Sequence, residues 1–134
     1  PLTLQELRQQ VGVDLAQQLQ EKTLEIYLAA HDYALAQDII IADTKLEFGF
    51  LGDQLIIIDE LLTPDSSRFW DAIAHQPGRS QPNFDKQFVR DWLDQNGWDR
   101  EPPAPELPPD VVERTKQRYR DAYRLLTGSI LEEP

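Results

Sequence analysis

The sequence predicts an α+β protein in which a β-hairpin lies between two mostly helical flanks. Three observations lead there. Apolar residues recur at 3.6-residue spacing before residue 38, β-branched and alternating residues replace them after it, and a proline-introduced helical pattern returns near residue 108.

The elements follow in order. Thr3 or a neighbour can cap a first helix, with Glu6 in capping-box position, and Leu4, Leu7 and Val11 keep helical spacing until Gly12. A longer helix over about 14–37 carries Leu15, Leu19, Leu24, Ile26, Tyr27, Ala30, Tyr33 and Ala34 as a broad apolar stripe, which reads as core. From Asp38 the run IIIADTKLEFGF opens with β-branched residues and alternates from Asp43 onward. Gly52 and Asp53 supply a turn, and QLIIIDELL reads as the return strand of an antiparallel hairpin over 39–61. Two strands alone are marginal, so the hairpin is expected to extend a larger sheet. SSRFWDAIAHQPGRSQP reads as irregular, and Asn83 as the cap of a helix over about 84–95. EPPAPELPPD is a semi-rigid connector. Pro108, Pro109 and Asp110 introduce a last helix to about Leu126, ended by Gly128, and the tail over 129–134 is expected to fray. The chain thus divides into a helical part (1–38), the hairpin (39–61) and a loop with C-terminal helices (62–134).

Composition narrows the function. The 134 residues carry a formal charge of −11, with 40% apolar and 28% charged residues, a mixture suited to one globular domain. So acidic a chain is not a general nucleic-acid or membrane-surface binder, since both need clustered Lys and Arg. The absence of cysteine excludes disulfides, thiolate chemistry and cysteine-bound zinc, and fits a reducing, cytoplasmic setting. No apolar run approaches the roughly 20 residues of a membrane span, and the N-terminus lacks a signal-peptide pattern. Methionine is absent even at position 1. Removal of an initiator before Pro1, or a start inside a longer chain, accounts for this equally well.

Alternation along the first strand puts Asp43, Lys45 and Glu47 on one face, with Thr44, Leu46 and Phe48 on the other. A solvated ladder and an active face fit that spacing equally. Asp59, at the end of the apolar run IIID, is expected at the end of a buried strand, where a carboxylate needs a cation or donors. Asp59 beside Glu47 would offer hard oxygens to Mg²⁺, which takes one or two carboxylates plus substrate phosphates, and Lys45 could meet a phosphate as a point charge. Asp65, Ser66 and Ser67 could form a capped turn, with Arg68 in a surface ion pair. Lys86 and Arg90, four apart on one helical face, have Asp85 and Asp91 as neutralising neighbours. If the fold converges Arg68, Lys86 and Arg90, however, they make an anion site. His31 and His75 are isolated and read as non-catalytic, and the three tryptophans read as packing anchors.

The run IIIADTKLEFG…IIIDELLTPDSSRFW…GRSQPNFDKQFVRDWL, with the ending LPPDVVERTKQRYRDAYRLLTG, resembles the SAICAR synthetases, phosphoribosylaminoimidazole-succinocarboxamide synthases of purine biosynthesis. Leu46, where many of them carry Phe, is a mild departure. The resemblance covers the chain from the long helix onward. It implies the C-terminal portion of such an enzyme, without its N-terminal β-rich domain and glycine-rich nucleotide loop. It further implies ATP and Mg²⁺ as cofactors and an imidazole ribonucleotide and L-aspartate as substrates. The missing N-terminal part becomes a partner, and a homo-oligomer is compatible. By resemblance Glu47 and Asp59 hold the metal, and Lys45 and Asp59 contact the nucleotide. Lys45 stabilises the transferring phosphoryl group, and Asp43 orients it or the nucleophile. Ser67 with Arg68, and Lys86 with Arg90, bind the substrate nucleotide, with Asp65 in the same block. Two alternatives stand beside this: another ATP-dependent ligase or kinase-like phosphotransferase, and a non-catalytic nucleotide-binding or interaction module.

Overall fold

Residues 2–79 and 81–132 are described by a computed structural model. Thr3 opens α1 (Leu4–Val11) with the expected reciprocal box: its hydroxyl accepts the Glu6 N–H, and the Glu6 carboxylate accepts the Thr3 N–H at 2.7 Å. Helix α2 (Val13–Leu35) buries only Ala16 and Ala34 fully, while Tyr27 and Ala30 pack on the core from the same side. Leu24 and Leu28 stay 50% and 57% exposed, so its apolar stripe is wider than the surface it covers. Asp38, in the left-handed region at φ 61°, then turns the chain into the first strand, a conformation Asp tolerates better than most residues.

The strand pairing departs from the expected single hairpin. Strand β1 (Ile39–Thr44) pairs antiparallel with β4 (Ser67–Asp71), whereas β2 (Phe48–Leu51) pairs with β3 (Gln54–Ile57) around the Gly52–Asp53 turn. The hairpin is therefore shorter than 39–61 and forms a two-stranded sheet of its own among the described residues. The partner of β1 is the segment read as irregular. In SRFWD, Ser67 and Phe69 are buried while Arg68 is exposed, a short alternation hidden by the turn-rich TPDSS before it. Residues 45–47 belong to no strand, although the Lys45 N–H still donates to the Ser66 carbonyl at 2.9 Å.

The β1–β4 pair lies at the centre of the core. Ile39, Ile41 and Phe69 pack with Ala34 of α2 and Ala122 of α4 (Pro109–Thr127). Tyr27 and Tyr33 of α2 donate their hydroxyls to the carbonyls of Ile41 and Leu126 at 2.7 and 2.6 Å, tying α2 to the sheet and to α4. Helix α4 begins with Pro109 in its first turn and ends at Gly128, whose φ of 68° favours glycine and whose N–H closes on the Arg124 carbonyl. Helix α3 (Gln87–Gln95) starts later than expected, and Asn83 is not its cap. Asn83 instead bridges Trp70, and the Phe84 N–H donates to the Phe69 carbonyl, so this stretch runs extended beside β4. Residues 129–132 are not helical; 133 and 134, the end of the tail expected to fray, lie outside the described residues. No helix among the described residues is long and apolar enough to cross a membrane.

Candidate active site

Strict alternation from Ile39 would point Asp43, Lys45 and Glu47 into the core beside Ile39 and Ile41. A β-bulge at Ala42 resolves this conflict: Ile41 faces Phe69, and the next register pairs are Asp43 with Arg68 and Thr44 with Ser67. Beyond the bulge Asp43, Lys45 and Glu47 are exposed, and Thr44, Leu46 and Phe48 are half-buried, as the expected two faces require.

Arg68 meets Asp43 in a forked ion pair, with Nε 2.8 and 3.0 Å from the two carboxylate oxygens and Nη2 on Oδ2. The pair fills the outer face at the end of β4. Underneath, the buried Ser67 hydroxyl donates to Thr44 Oγ1 at 2.9 Å, so Ser67 is held by the neighbouring strand. A cleft of about 200 Å³ opens here, and Asp43, Asp65, Ser67, Arg68, Lys86 and Arg90 all line it. Six residues spread from 43 to 90 therefore meet in one place. Lys86, the cap of α3 rather than a residue on its face, lies 3.6 Å from Asp65. Arg90 is in the first turn of α3 and makes no ion pair among the described residues, so the alternative of a surface network of Lys86 and Arg90 with Asp85 and Asp91 does not form there.

Asp85 has a different task. It is buried, and its carboxylate accepts the Phe69 N–H at 3.1 Å and the Gln87 N–H at 2.7 Å. It thus fastens the start of α3, with Lys86 and Arg90, to the middle of β4. Burial pushes its pKa up, against the pull of those two backbone donors. Tyr119 of α4 donates its hydroxyl to Asp65 at 2.9 Å, and burial with that bond raises its pKa. Sequence reasoning missed both, Asp85 in the cleft wall and Tyr119 as the brace of Asp65. Asp85 was hidden by its charged neighbour Lys86, and Tyr119 has no local signal, being 54 residues from its partner.

Lys45, Glu47 and Asp59 form the second cluster. Lys45 Nζ lies 2.6 Å from Glu47 Oε1 and 3.1 Å from Asp59 Oδ2. The two carboxylates, chiefly Glu47, push the Lys45 pKa up to about 12. Asp59 is lowered first by the Glu60 backbone N–H and then by Lys45. The expectation that Asp59 ends a buried strand is corrected. Within this chain strand β3 stops at Ile57, Ile58 is 58% exposed and the Asp59 side chain is 38% exposed, so Asp59 lies two residues past the strand end. Glu47 and Asp59 nonetheless converge on one cation, since the Ile58 N–H donates to the Glu47 carbonyl at 3.1 Å and closes the base of the hairpin. Two hard oxygen donors around one positive charge suit Mg²⁺, which completes its octahedron with phosphates and water. Among the described residues, no group of three His, Cys, Asp or Glu gathers to hold a metal alone.

The Arg68 guanidinium holds the Asp43 carboxyl below the usual carboxylate range, chiefly through its hydrogen bonds. The folded chain therefore binds this proton less tightly than the unfolded one. The pair adds stability above the unfolded pKa of roughly 4 and loses it as the pH falls through the lower folded value. Wild type and Arg68→Gln should differ by less than about 1 kcal/mol at pH 6, since the pair is half-exposed. Urea titrations should show that difference shrinking as the pH falls through the lowered Asp43 carboxyl.

A family model for SAICAR synthetase matches residues 2–105. The chain belongs to the SAICAR synthetase family. The phosphoribosylaminoimidazole-succinocarboxamide synthase of Streptomyces coelicolor is 54% identical over 131 residues, covering 95% of this chain and 44% of that protein. The synthase of Thioalkalivibrio sulfidiphilus is 57% identical over 121 residues, 89% of this chain and 40% of that protein. Among solved structures, the SAICAR-synthase from Saccharomyces cerevisiae complexed with SAICAR superposes with a TM-score of 0.89 at 41% identity, over 98% of this chain and 44% of that one. A SAICAR synthetase from Pyrococcus horikoshii matches with a TM-score of 0.65 at 26% identity, over 92% of this chain and 43% of that one. The chain thus spans less than half the length of these SAICAR synthetases. Its α+β fold of helices around antiparallel strands is the one it shares with them.

Proposed function

We propose that this chain supplies one side of the active site of an ATP-dependent ligase of purine biosynthesis. The ligase joins L-aspartate to 5-amino-1-(5-phosphoribosyl)imidazole-4-carboxylate, giving SAICAR, ADP and phosphate. The observation that carries the reading is the single cleft where Asp43, Asp65, Ser67, Arg68, Lys86 and Arg90 meet, beside the Lys45–Glu47–Asp59 cluster.

In this reading the phosphate of the imidazole nucleotide lies against Arg68, Lys86 and Arg90. Arg90, without an ion-pair partner among the described residues, supplies a fork for a phosphate and Lys86 a point charge. Ser67 Oγ can accept or donate at the cleft floor, and Asp65, braced by Tyr119, offers an acceptor to a hydroxyl. ATP transfers its γ-phosphoryl group to the imidazole carboxylate, releasing ADP. The aspartate amine then attacks the carboxyl carbon of that acyl phosphate. A C–N bond forms, the C–O bond to phosphorus breaks with its electrons leaving on phosphate, and the amine sheds a proton. Lys45, kept cationic by its neighbours, faces the charge developing on the transferred group, and Asp43 orients the reacting centre through Arg68. Mg²⁺, held by Glu47 and Asp59, would neutralise the ATP phosphates. The yeast relative's complex with SAICAR supports the nucleotide assignment.

Calorimetric titration of the chain with the imidazole nucleotide tests this. Saturable binding should weaken about 10–100-fold in Arg90→Gln, the loss of a charged hydrogen-bond pair. Absence of binding to the imidazole nucleotide and to Mg²⁺-ATP alike would leave an inert fold and overturn the proposal.

A further inference from the structure

Among the described residues α4 contributes nothing to the wall of the cleft of about 200 Å³, yet it holds both sides of that cleft. Two adjacent residues do this. Successive side chains of a helix point about 100° apart, so one turn can reach two different elements. Tyr119 reaches Asp65, in the loop between β3 and β4, at 2.9 Å. Arg118, half-buried, reaches the start of α3. Its Nη1 donates to the Asn83 carbonyl at 2.6 Å, and its guanidinium carbon lies 4.6 Å from the centroid of the Phe88 ring. Arg114, one turn earlier on α4, lies over the same ring at 4.5 Å.

Phe88 belongs to the first turn of α3, between Lys86 and Arg90 in sequence. Midway between Asn83 and Phe88 stands Asp85, which accepts the Phe69 N–H of β4. The segment 83–88 is therefore fastened to the sheet at its middle and to α4 at both ends. Lys86 stands 3.6 Å from Asp65 across the cleft, so the two holds of α4 also bear on that gap. Arginine suits the double task. A planar guanidinium can donate in its plane and cover a ring with its face, whereas an ammonium serves one of the two partners fully. We propose that Arg118 is a positioning residue for the nucleotide phosphate, fixing from α4 where α3 begins and so where Lys86 and Arg90 stand opposite Asp65. Arg118 itself touches no ligand. The proposal rests on the ligase reading only in taking the anion of this cleft to be that phosphate.

Amide hydrogen exchange tests the hold on α3 without any ligand. Arg118→Met keeps the bulk of the side chain and removes its donors and charge. The amides of Gln87, Val89 and Arg90 should then exchange about 10–100-fold faster, while those in the middle of α2 keep the wild-type rate. Arg118→Lys should recover part of the protection. Calorimetric titration with the imidazole nucleotide supplies the second readout. Arg118→Met should weaken binding about tenfold in the wild-type background and no more than about threefold in Arg90→Gln, because much of its effect passes through Arg90. Unchanged exchange at residues 87–90, acceleration spread equally to α2, or equal losses of affinity in both backgrounds would overturn the proposal. A wild-type chain that does not bind the nucleotide, with the amides of 87–90 still released in Arg118→Met, removes the ligase reading and leaves the hold of Arg118 on α3 in place.

Discussion

Replacing Lys45 with alanine should lower kcat about 10³-fold or more, the scale of losing one charge aimed at a developing transition state. The measurement uses a chimera joining this chain to the part of the Streptomyces coelicolor relative that it does not match. The loss should fall on kcat with little change in KM for the imidazole nucleotide, since Lys45 touches none of the residues placed around that phosphate. Folding should be nearly unaffected, because the ammonium is exposed and its removal leaves no buried group unpaired. A separate readout moves the other way. With the ammonium gone, Glu47 and Asp59 face each other without a cation, so Mn²⁺, a paramagnetic substitute for Mg²⁺, should bind the Lys45→Ala chain more tightly than wild type. A kcat within tenfold of wild type would sink the role given to Lys45.

Asp85→Asn should be the most destabilising near-isosteric change in the cleft. Asparagine offers one acceptor where Asp85 uses two, and its amide NH₂ would confront the N–H of either Phe69 or Gln87. One unsatisfied N–H in a buried site costs about 1–3 kcal/mol, and the misplaced donor adds to it. Thermal unfolding should therefore drop by about 10 °C, taking roughly 4 °C per kcal/mol for a chain of this size. The affinity for the imidazole nucleotide should fall with it, because the start of α3 carries both Lys86 and Arg90. A melting temperature within 2–3 °C of wild type, on the same rough scale, would show that α3 is positioned by something else.

The outer ends of α1 and α4 were legible because these two helices carry their own punctuation, whereas α3 has no capping side chain and began later than expected. Thr3 with Glu6 and Gly128 mark ends by local hydrogen bonding and Pro109 by its fixed φ, and the sequence displays those residues directly. The strands were legible in composition but not in partnership. Ile39–Thr44 looks like the first half of a hairpin because QLIIIDELL is the next apolar run, yet burial decides otherwise. Phe69 fills the space against Ile41, whereas Ile58 faces water. The bulge at Ala42 has no composition signal, although a conflict announces it: period two cannot keep Ile41 inside and Asp43 outside on the same face. Site residues inside one short block, such as Ser67 and Arg68, were visible from their chemistry. Their assembly with Lys86 and Arg90 entered only as a condition and through the resemblance, since it depends on Asp85 reaching back to β4.

The pairing of Thr44 with Ser67 means that residues 45–66 leave the sheet and re-enter it at one spot. Glu47 and Asp59 stand at the neck of this excursion, and the Gly52–Asp53 turn lies at its far tip. The distance between the two carboxylates is consequently set by the neck and is indifferent to how far the tip extends. The tip is therefore an insertion point for a reporter peptide that leaves the Glu47–Asp59 pair undisturbed.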